Sequence, residues 1–296
     1  MNFHKSVLLQ EAVEGLKVLS GQKYIDATLG GGGHSLEIIK RRGIVLGIDQ
    51  DPDAIDYVKA NFQLPISSSQ LKLKRGNFRN IEKIAKENGF EKVSGIIFDL
   101  GVSSHQIDEK NRGFSYQKEG PLDMRMDPNT KLKASDLINL LSNEQLSEIF
   151  NKFGEEPRSR AISSAIIRRR NMKAITNTQE LVGIIAQVYK IRRFNPMLRA
   201  KLANRVFQAL RIAVNDETRA LKEALASCPN LLQPGGRLAI ISFHSLEDRI
   251  VKDSFIDFKK RGLGTIITPK PVMSSEAEVL LNKRSKGAKL RIFEKL

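Results

Sequence analysis

The segment Asp26-Ala-Thr-Leu-Gly-Gly-Gly-Gly-His-Ser35 follows the apolar lead-in Lys23-Tyr24-Ile25 and precedes the helical pattern Leu36-Glu37-Ile38-Ile39-Lys40. That order predicts a strand, a glycine loop and a helix. Glycines let the backbone take positive φ and approach a ligand closely, and the helix behind them offers free N–H groups with a partial positive charge. A second apolar run, Ile44-Val45-Leu46-Gly47-Ile48, ends at Asp49, nineteen residues after Gly30. A carboxylate at that distance accepts the hydroxyls of a ribose, so the pattern predicts an adenosine-containing cofactor.

The dinucleotide fingerprint requires a third glycine for close helix packing, and counting from Gly30 and Gly32 that position is Ser35. Asp26-x-Thr28-x-Gly30-x-Gly32 instead looks like the first motif of S-adenosylmethionine (SAM) methyltransferases. NAD is the second reading.

The chain has 296 residues, 41% of them hydrophobic, enough for one large α/β domain with an insertion or for two domains. Its longest apolar run, Leu238 to Phe243 with one serine, is too short to cross a bilayer, and Met1 to Lys5 lack a signal-peptide pattern. The expectation is a soluble, cytoplasmic protein with no membrane partner. The single cysteine, Cys228, is expected in a turn at Ala226-Ser-Cys-Pro-Asn230, without a thiol partner for a disulfide or zinc, and no metal is expected.

The net charge of +16, from 49 basic and 33 acidic residues, is unevenly spread. Residues 151–211 hold fourteen Lys or Arg against three acids, and residues 259–296 hold ten against three, which leaves the remainder slightly acidic. Charge concentrated in this way favours a polyanion, and nucleic acid is the polyanion that suits a nucleoside-cofactor enzyme. Arg158, Arg160, Arg168, Arg169, Arg170, Lys190, Arg192 and Arg193 form the densest part. Arg168, Arg169 and Arg170 cannot share one helix face, so part of this cluster is expected to be a solvated rim.

Strands are expected at Leu71–Arg75, Ser94–Asp99 and Gly236–Phe243, alternating with helices after Asp49 and from Ile81 to Asn88. This alternation predicts a doubly wound, Rossmann-like α/β fold whose ligand sits beyond the carboxyl ends of a parallel sheet. Between Asp99 and Gly236 only helical signals appear: Ser135–Leu141, a capping box at Ser142-x-x-Gln145, Pro157–Asn171 and Thr178–Lys190. We therefore expect a catalytic domain of residues 1–105 and 201–296, with residues 106–200 as an inserted, helical, basic RNA-recognition domain.

The loops after three of these strands are Gly30-Gly-Gly-Gly-His-Ser35, Asp99-Leu-Gly-Val-Ser-Ser104 and Ser242-Phe-His-Ser-Leu-Glu-Asp-Arg249. Adjacent parallel strands end in one crevice, which would gather His34, Asp99, Ser103, Ser104, Gln106, Ser242, His244 and Asp248. Each taken singly has a plainer role, as a helix cap, a core histidine or an aspartate paired with Arg249.

These segments, with Gly47-Ile-Asp-Gln-Asp51, Arg112-Gly-Phe-Ser115, Gly120-Pro-Leu-Asp-Met-Arg-Met-Asp127, Phe207-Gln-Ala-Leu-Arg-Ile212, Val214-Asn215 and Pro234-Gly-Gly236, run almost end to end. In them the chain resembles the bacterial small-subunit 16S ribosomal RNA (cytosine-N4)-methyltransferases, the MraW-like family. Ser6 departs from the proline usual in the family's N-terminal motif.

The resemblance implies SAM as cofactor, held by Gly32, Gly33, His34, Asp49, Phe78, Asp99 and Gln106. The implied substrate is 16S rRNA or the small ribosomal subunit, methylated on the exocyclic N4 of a decoding-region cytidine, and a homodimer is left open. Cytosine's amine is weakly nucleophilic because its lone pair is delocalised, so an acceptor beside it would help; the candidates are Asp99 and the Ser103 or Ser104 hydroxyl. Alternative readings are an NAD-dependent oxidoreductase and a non-catalytic rRNA-binding assembly factor.

Overall fold

The computed structural model describes residues 6–62, 69–191 and 196–296. Met1 to Lys5, Arg192 and Arg193 lie outside the described residues. The chain divides into two compact units, one of residues 1–103 with 218–296 and one of residues 104–217.

The first unit is built on strands β1 (Lys23–Asp26), β2 (Ile44–Asp49), β3 (Leu71–Arg75), β4 (Val93–Asp99) and β5 (Leu232–Ser242), which pair in parallel in the order β3-β2-β1-β4-β5. Beyond β5 the sheet turns antiparallel. β6 (Gly264–Ile266) and β7 (Val272–Met273) both pair with β8 (Lys289–Lys295), which itself runs against β5. This mixed edge was absent from the sequence expectation, because Lys289 to Lys295 carries four charged residues among its seven and so shows no continuous apolar run.

Period-two alternation distributes the strand side chains to two faces. Ile96, Phe98, Leu238 and Ile240 enter one core, with Leu221, Val251 and Phe255 of the helices α11 (Glu217–Leu231) and α12 (Ser245–Lys260). Ile97, Ala239 and Ile241 enter the other, with Ala12 and Val13 of α1 (Leu9–Gly15) and Ile38 of α2 (Gly33–Lys40); α3 (Pro52–Asn61) follows β2 and α4 (Ile81–Glu87) precedes β4. A sheet covered on both faces needs nearly unbroken apolar strands, and β4 is buried from Val93 to Phe98. Exposure returns at Asp99, where the ligand end begins.

Cys228 corrects the expected turn: it is buried within α11, which continues through Pro229 to Leu231. Ala220, Leu221, Ala224, Leu225 and Leu231 share its buried, helix-spaced face. That packing outweighs the N–H lost at Pro229.

The second unit is helical: α5 (Ser104–Asp108), α6 (Ala134–Leu140), α7 (Asn143–Gly154), α8 (Ser159–Arg170), α9 (Thr178–Val188) and α10 (Pro196–Asn215). Ser142 and Gln145 form the expected capping box at the start of α7. Gly154 lets α7 approach α10, since a Cβ there would lie 2.5 Å from the Arg205 carbonyl oxygen. The expected edge at residue 200 falls inside α10; a hydrogen-bonded helix has no hinge there, and the unit closes only at Glu217.

Candidate functional site

The carboxyl ends of β1, β2 and β4 are tied together by side chains of the glycine loop. Asp26 is buried; its Oδ2 accepts the Ser35 hydroxyl at 2.6 Å and its Oδ1 the Thr28 N–H at 3.3 Å. Burial pushes its pKa up to about 6. The Thr28 hydroxyl oxygen in turn accepts the Asp99 N–H at 2.6 Å, joining β1 to β4. Asp26 is therefore the anchor of the loop, a role the sequence reading did not assign to it.

Asp49 closes the loop on its other side. Its Oδ2 accepts the Gly30 N–H at 2.8 Å and its Oδ1 accepts the Asp51 N–H at 2.9 Å. Each carboxylate oxygen keeps a second lone pair for a ligand hydroxyl. Burial is also the main reason that Asp49 rises to about 6, and the neighbouring charges of Asp51 and Asp26 add to it. Gly30 has φ +50°, and a Cβ built there would meet nothing closer than 3.9 Å, so its Cα faces open space beside that carboxylate. Gly32, at φ +76°, would bring a Cβ within 2.8 Å of the Phe62 ring, and Gly33 would press its own on the Ser6 hydroxyl.

Asp99 carries the least satisfied group of the site. Its Oδ1 is buried without a hydrogen-bond partner among the described residues, and its Oδ2 lies 3.7 Å from His34 Nδ1. Burial, then the charges of Asp26, Glu247 and Glu278, raise its pKa well above the ordinary range. His34 is itself buried, with Nε2 3.1 Å from the Val7 carbonyl. The imidazole thus joins the chain before α1 to the end of β4. Glu278 accepts the Leu8 N–H at 2.7 Å, a contribution from the C-terminal segment that no sequence signal marked.

Phe78 opens a short 3₁₀ turn after β3 and packs edge-on against Phe98, with ring centroids 5.7 Å apart. Ser103 is the last residue of the first unit, while Ser104 and Gln106 are buried on α5 in the second. Ser242 is buried at the end of β5. His244 caps α12, its Nδ1 accepting the Glu247 N–H and its Nε2 lying 3.1 Å from Glu247 Oε1. Asp248 corrects the expected pairing with Arg249: it accepts hydrogen bonds from Arg291 at 2.6 Å and Lys289 at 3.1 Å. Register explains this, because β8 runs alongside β5 and brings both cations to the start of α12.

These residues suit a nucleoside bearing positive charge. The glycine loop admits a close backbone approach, and Asp49 can accept ribose hydroxyls. The charges of Asp26, Glu247 and Glu278 disfavour a charged Asp99, a burden that a bound cation relieves and a pyrophosphate would increase. SAM has a sulfonium and an ammonium group, whereas NAD has two phosphates; the site therefore fits SAM.

The helical unit holds cations of two kinds. Arg170 donates to the Ile138 carbonyl at 2.8 Å and Arg158 to the Val188 carbonyl at 2.9 Å, each near the end of a neighbouring helix. Arg160 and Arg168 are exposed. Among the described residues no helix is long and apolar enough to cross a membrane.

Comparison with known proteins agrees with this geometry. Ribosomal RNA small subunit methyltransferase H of Carboxydothermus hydrogenoformans is 43% identical over 99% of this chain and 98% of its own length. The proteins of that name from Halothermothrix orenii and Brevibacillus brevis are 45% and 43% identical, each over 99% of this chain and 98% of their own length. The family model for MraW methylases matches residues 1–296, and the chain belongs to that family of SAM-dependent methyltransferases.

Proposed function

We propose that this chain transfers the methyl group of SAM to the exocyclic N4 of a cytidine in the decoding region of 16S rRNA. The observation that carries this reading is Asp99, a half-buried carboxylate at a strand end whose buried Oδ1 has no hydrogen-bond partner among the described residues. When bound, SAM supplies a methyl group already activated on a sulfonium. The chain's own task is then to position the acceptor amine, exclude water and take up a proton.

In this reading Asp49 holds the ribose hydroxyls, Gly32 and Gly33 let the backbone approach the cofactor, and Phe78 offers a ring face to the adenine. His34 supports the pocket from below through Asp99. Gln106 is a further cofactor contact, and Ser103 a second acceptor for the target amine. With SAM held there, the methyl–sulfur bond would break as the amine nitrogen took the methyl, S-adenosylhomocysteine would leave, and Asp99 would accept the amine proton that has to depart. The raised pKa of Asp99 makes it a better base than an exposed aspartate.

The basic helical unit, residues 104–217, is the proposed RNA-binding part. Lifting the cytidine from its stack costs a few kcal/mol, offset by phosphate contacts from these cations. The setting is the cytoplasm, and whether the chain forms a homodimer is read from sedimentation of the full chain.

The test is incubation with methyl-labelled SAM and either small subunits or naked 16S rRNA lacking the mark, followed by digestion to nucleosides. Label in N4-methylcytidine is the expected result. Label in another nucleoside overturns the target atom, and absence of label from both RNAs with SAM bound overturns the substrate.

A further inference from the structure

A cleft of about 890 Å³ lies within the helical unit, far along the chain from the glycine loop. It is lined by Ser147 and Asn151 of α7, by Arg158 and Arg160 at the start of α8, and by Val188 at the end of α9. Its size falls in the range of pockets that hold small molecules, ~300–1,000 Å³. We propose that this cleft binds one nucleotide of a single-stranded RNA segment, its phosphate against Arg158, Arg160 and the start of α8.

Arg158 is ordered before any ligand arrives. Its guanidinium lies 4.3 Å from the centre of the Tyr189 ring and donates one hydrogen bond to Val188. The Tyr189 hydroxyl donates to Glu156, which is buried and also accepts the Arg158 N–H at 2.9 Å. An arginine fixed by stacking loses little freedom when it engages a phosphate, and it retains further donors for that purpose. Arg160 is exposed two residues on, in the first turn of α8, with no ion pair among the described residues.

The remaining lining selects the kind of anion. Glu148 also borders the cleft, and its carboxylate disfavours a compact, highly charged ion such as free phosphate. A nucleotide spreads a single charge and adds amino and hydroxyl donors, which Glu148 and Asn151 can accept. Ser147 and Asn151 lie four residues apart on one face of α7, a spacing suited to reading one base edge. Single-stranded RNA offers such edges unpaired.

This proposal rests on RNA as the substrate class and adds a docking site remote in sequence from the catalytic residues. The test is fluorescence anisotropy of the full chain with a labelled single-stranded RNA octamer across a salt series. R160E should weaken binding at least tenfold and lower the log–log salt slope by about one, with SAM affinity unchanged. N151A should weaken binding several-fold and leave the slope alone, because no charge changes. K131E reverses an exposed cation of the same unit that does not line the cleft, and should alter affinity less than threefold.

Equal losses in R160E and K131E would overturn the site, as would competition by poly-aspartate as effective as that by RNA. If no RNA accepts a methyl group and R160E still weakens the octamer, the catalytic reading falls while the cleft stands. If methyl transfer proceeds and R160E binds RNA normally, the cleft alone falls.

Discussion

In the proposed reading, Asp49 should make cofactor affinity depend on pH in a range where an exposed aspartate would not. Its pKa stands at about 6 without ligand. Ribose hydroxyls would donate to the ionised form, so binding should drive the proton off and affinity should fall as pH drops through that value. At pH 7.5 nearly all of Asp49 is ionised, whereas at pH 5 about one part in eleven remains, a loss of roughly tenfold or about 1.4 kcal/mol. Asp49→Asn keeps one acceptor and sets an amide N–H₂ against the N–H of Gly30 or Asp51, which now meet Oδ2 and Oδ1. The loss of one hydrogen bond to a charged group is worth about 1.5–3 kcal/mol, or roughly 10- to 150-fold in Kd at pH 7.5. Calorimetry with S-adenosylhomocysteine from pH 7.5 to 5 measures both effects, since this ligand keeps the ribose and has no methyl to transfer. Asp26 also titrates near 6, so the variant decides the source. A pH slope as steep in Asp49→Asn as in the parent protein refutes the assignment.

Three further outcomes follow from the same geometry. Asp99→Asn should weaken cofactor binding, because a carboxylate facing the cation is lost, and at saturating SAM should still lower the methyl-transfer rate about 10²- to 10⁴-fold, the usual range for removing a proton acceptor, measured by single-turnover methyl transfer. Gly32→Ala forces a Cβ to 2.8 Å from the Phe62 ring at φ +76°; thermal unfolding should reveal a loss of about 1–3 kcal/mol. Asp248→Ala leaves the buried Arg291 without its partner, and denaturant titration should register a loss of about 3 kcal/mol. Burial raises the Asp248 pKa, but hydrogen bonds from Arg291 and Lys289 outweigh it and hold the group below 3.8. Its contribution is accordingly complete above pH 4 and lost as pH falls through the lowered value, so Asp248→Ala should flatten acid unfolding.

The parallel half of the sheet was legible because each of its inner strands is a short apolar run, and a fully buried strand must be one. β8 was not legible, because its buried Leu290, Ile292 and Phe293 alternate with Arg291 and the terminal charges. The link from Gly30 to Asp49 was readable as a spacing of nineteen residues, and the N–H to carboxylate bond gives it physical form. Spacing alone does not tell which face of a loop a side chain takes. His34 reads as part of the glycine motif, yet it lies buried with a ring nitrogen against Val7. Glu278 joins the same cluster from residues that are 179 positions beyond Asp99, a distance at which no local pattern operates.

Two local clusters of opposite charge mark the two proposed sites. The first gathers Asp26, Asp49 and Asp99 at adjoining strand ends, where burial raises all three pKa values. Leaving carboxylates in that state costs stability, and the cost is offset when a cationic ligand enters. The second unit carries the opposite burden: residues 151–211 hold fourteen cations against three acids. Their mutual repulsion is relieved by a polyanion. In the proposed reading, a cationic cofactor relieves the local carboxylate cluster of the first unit, and a polyanionic substrate relieves the cation cluster of residues 151–211 in the second. Raising the salt concentration should weaken RNA binding steeply and SAM binding only slightly, because one interaction releases many counterions and the other is buried. Parallel salt titrations of the two ligands on the full chain measure this difference, and equal slopes would remove the electrostatic division on which the assignment of the two units depends.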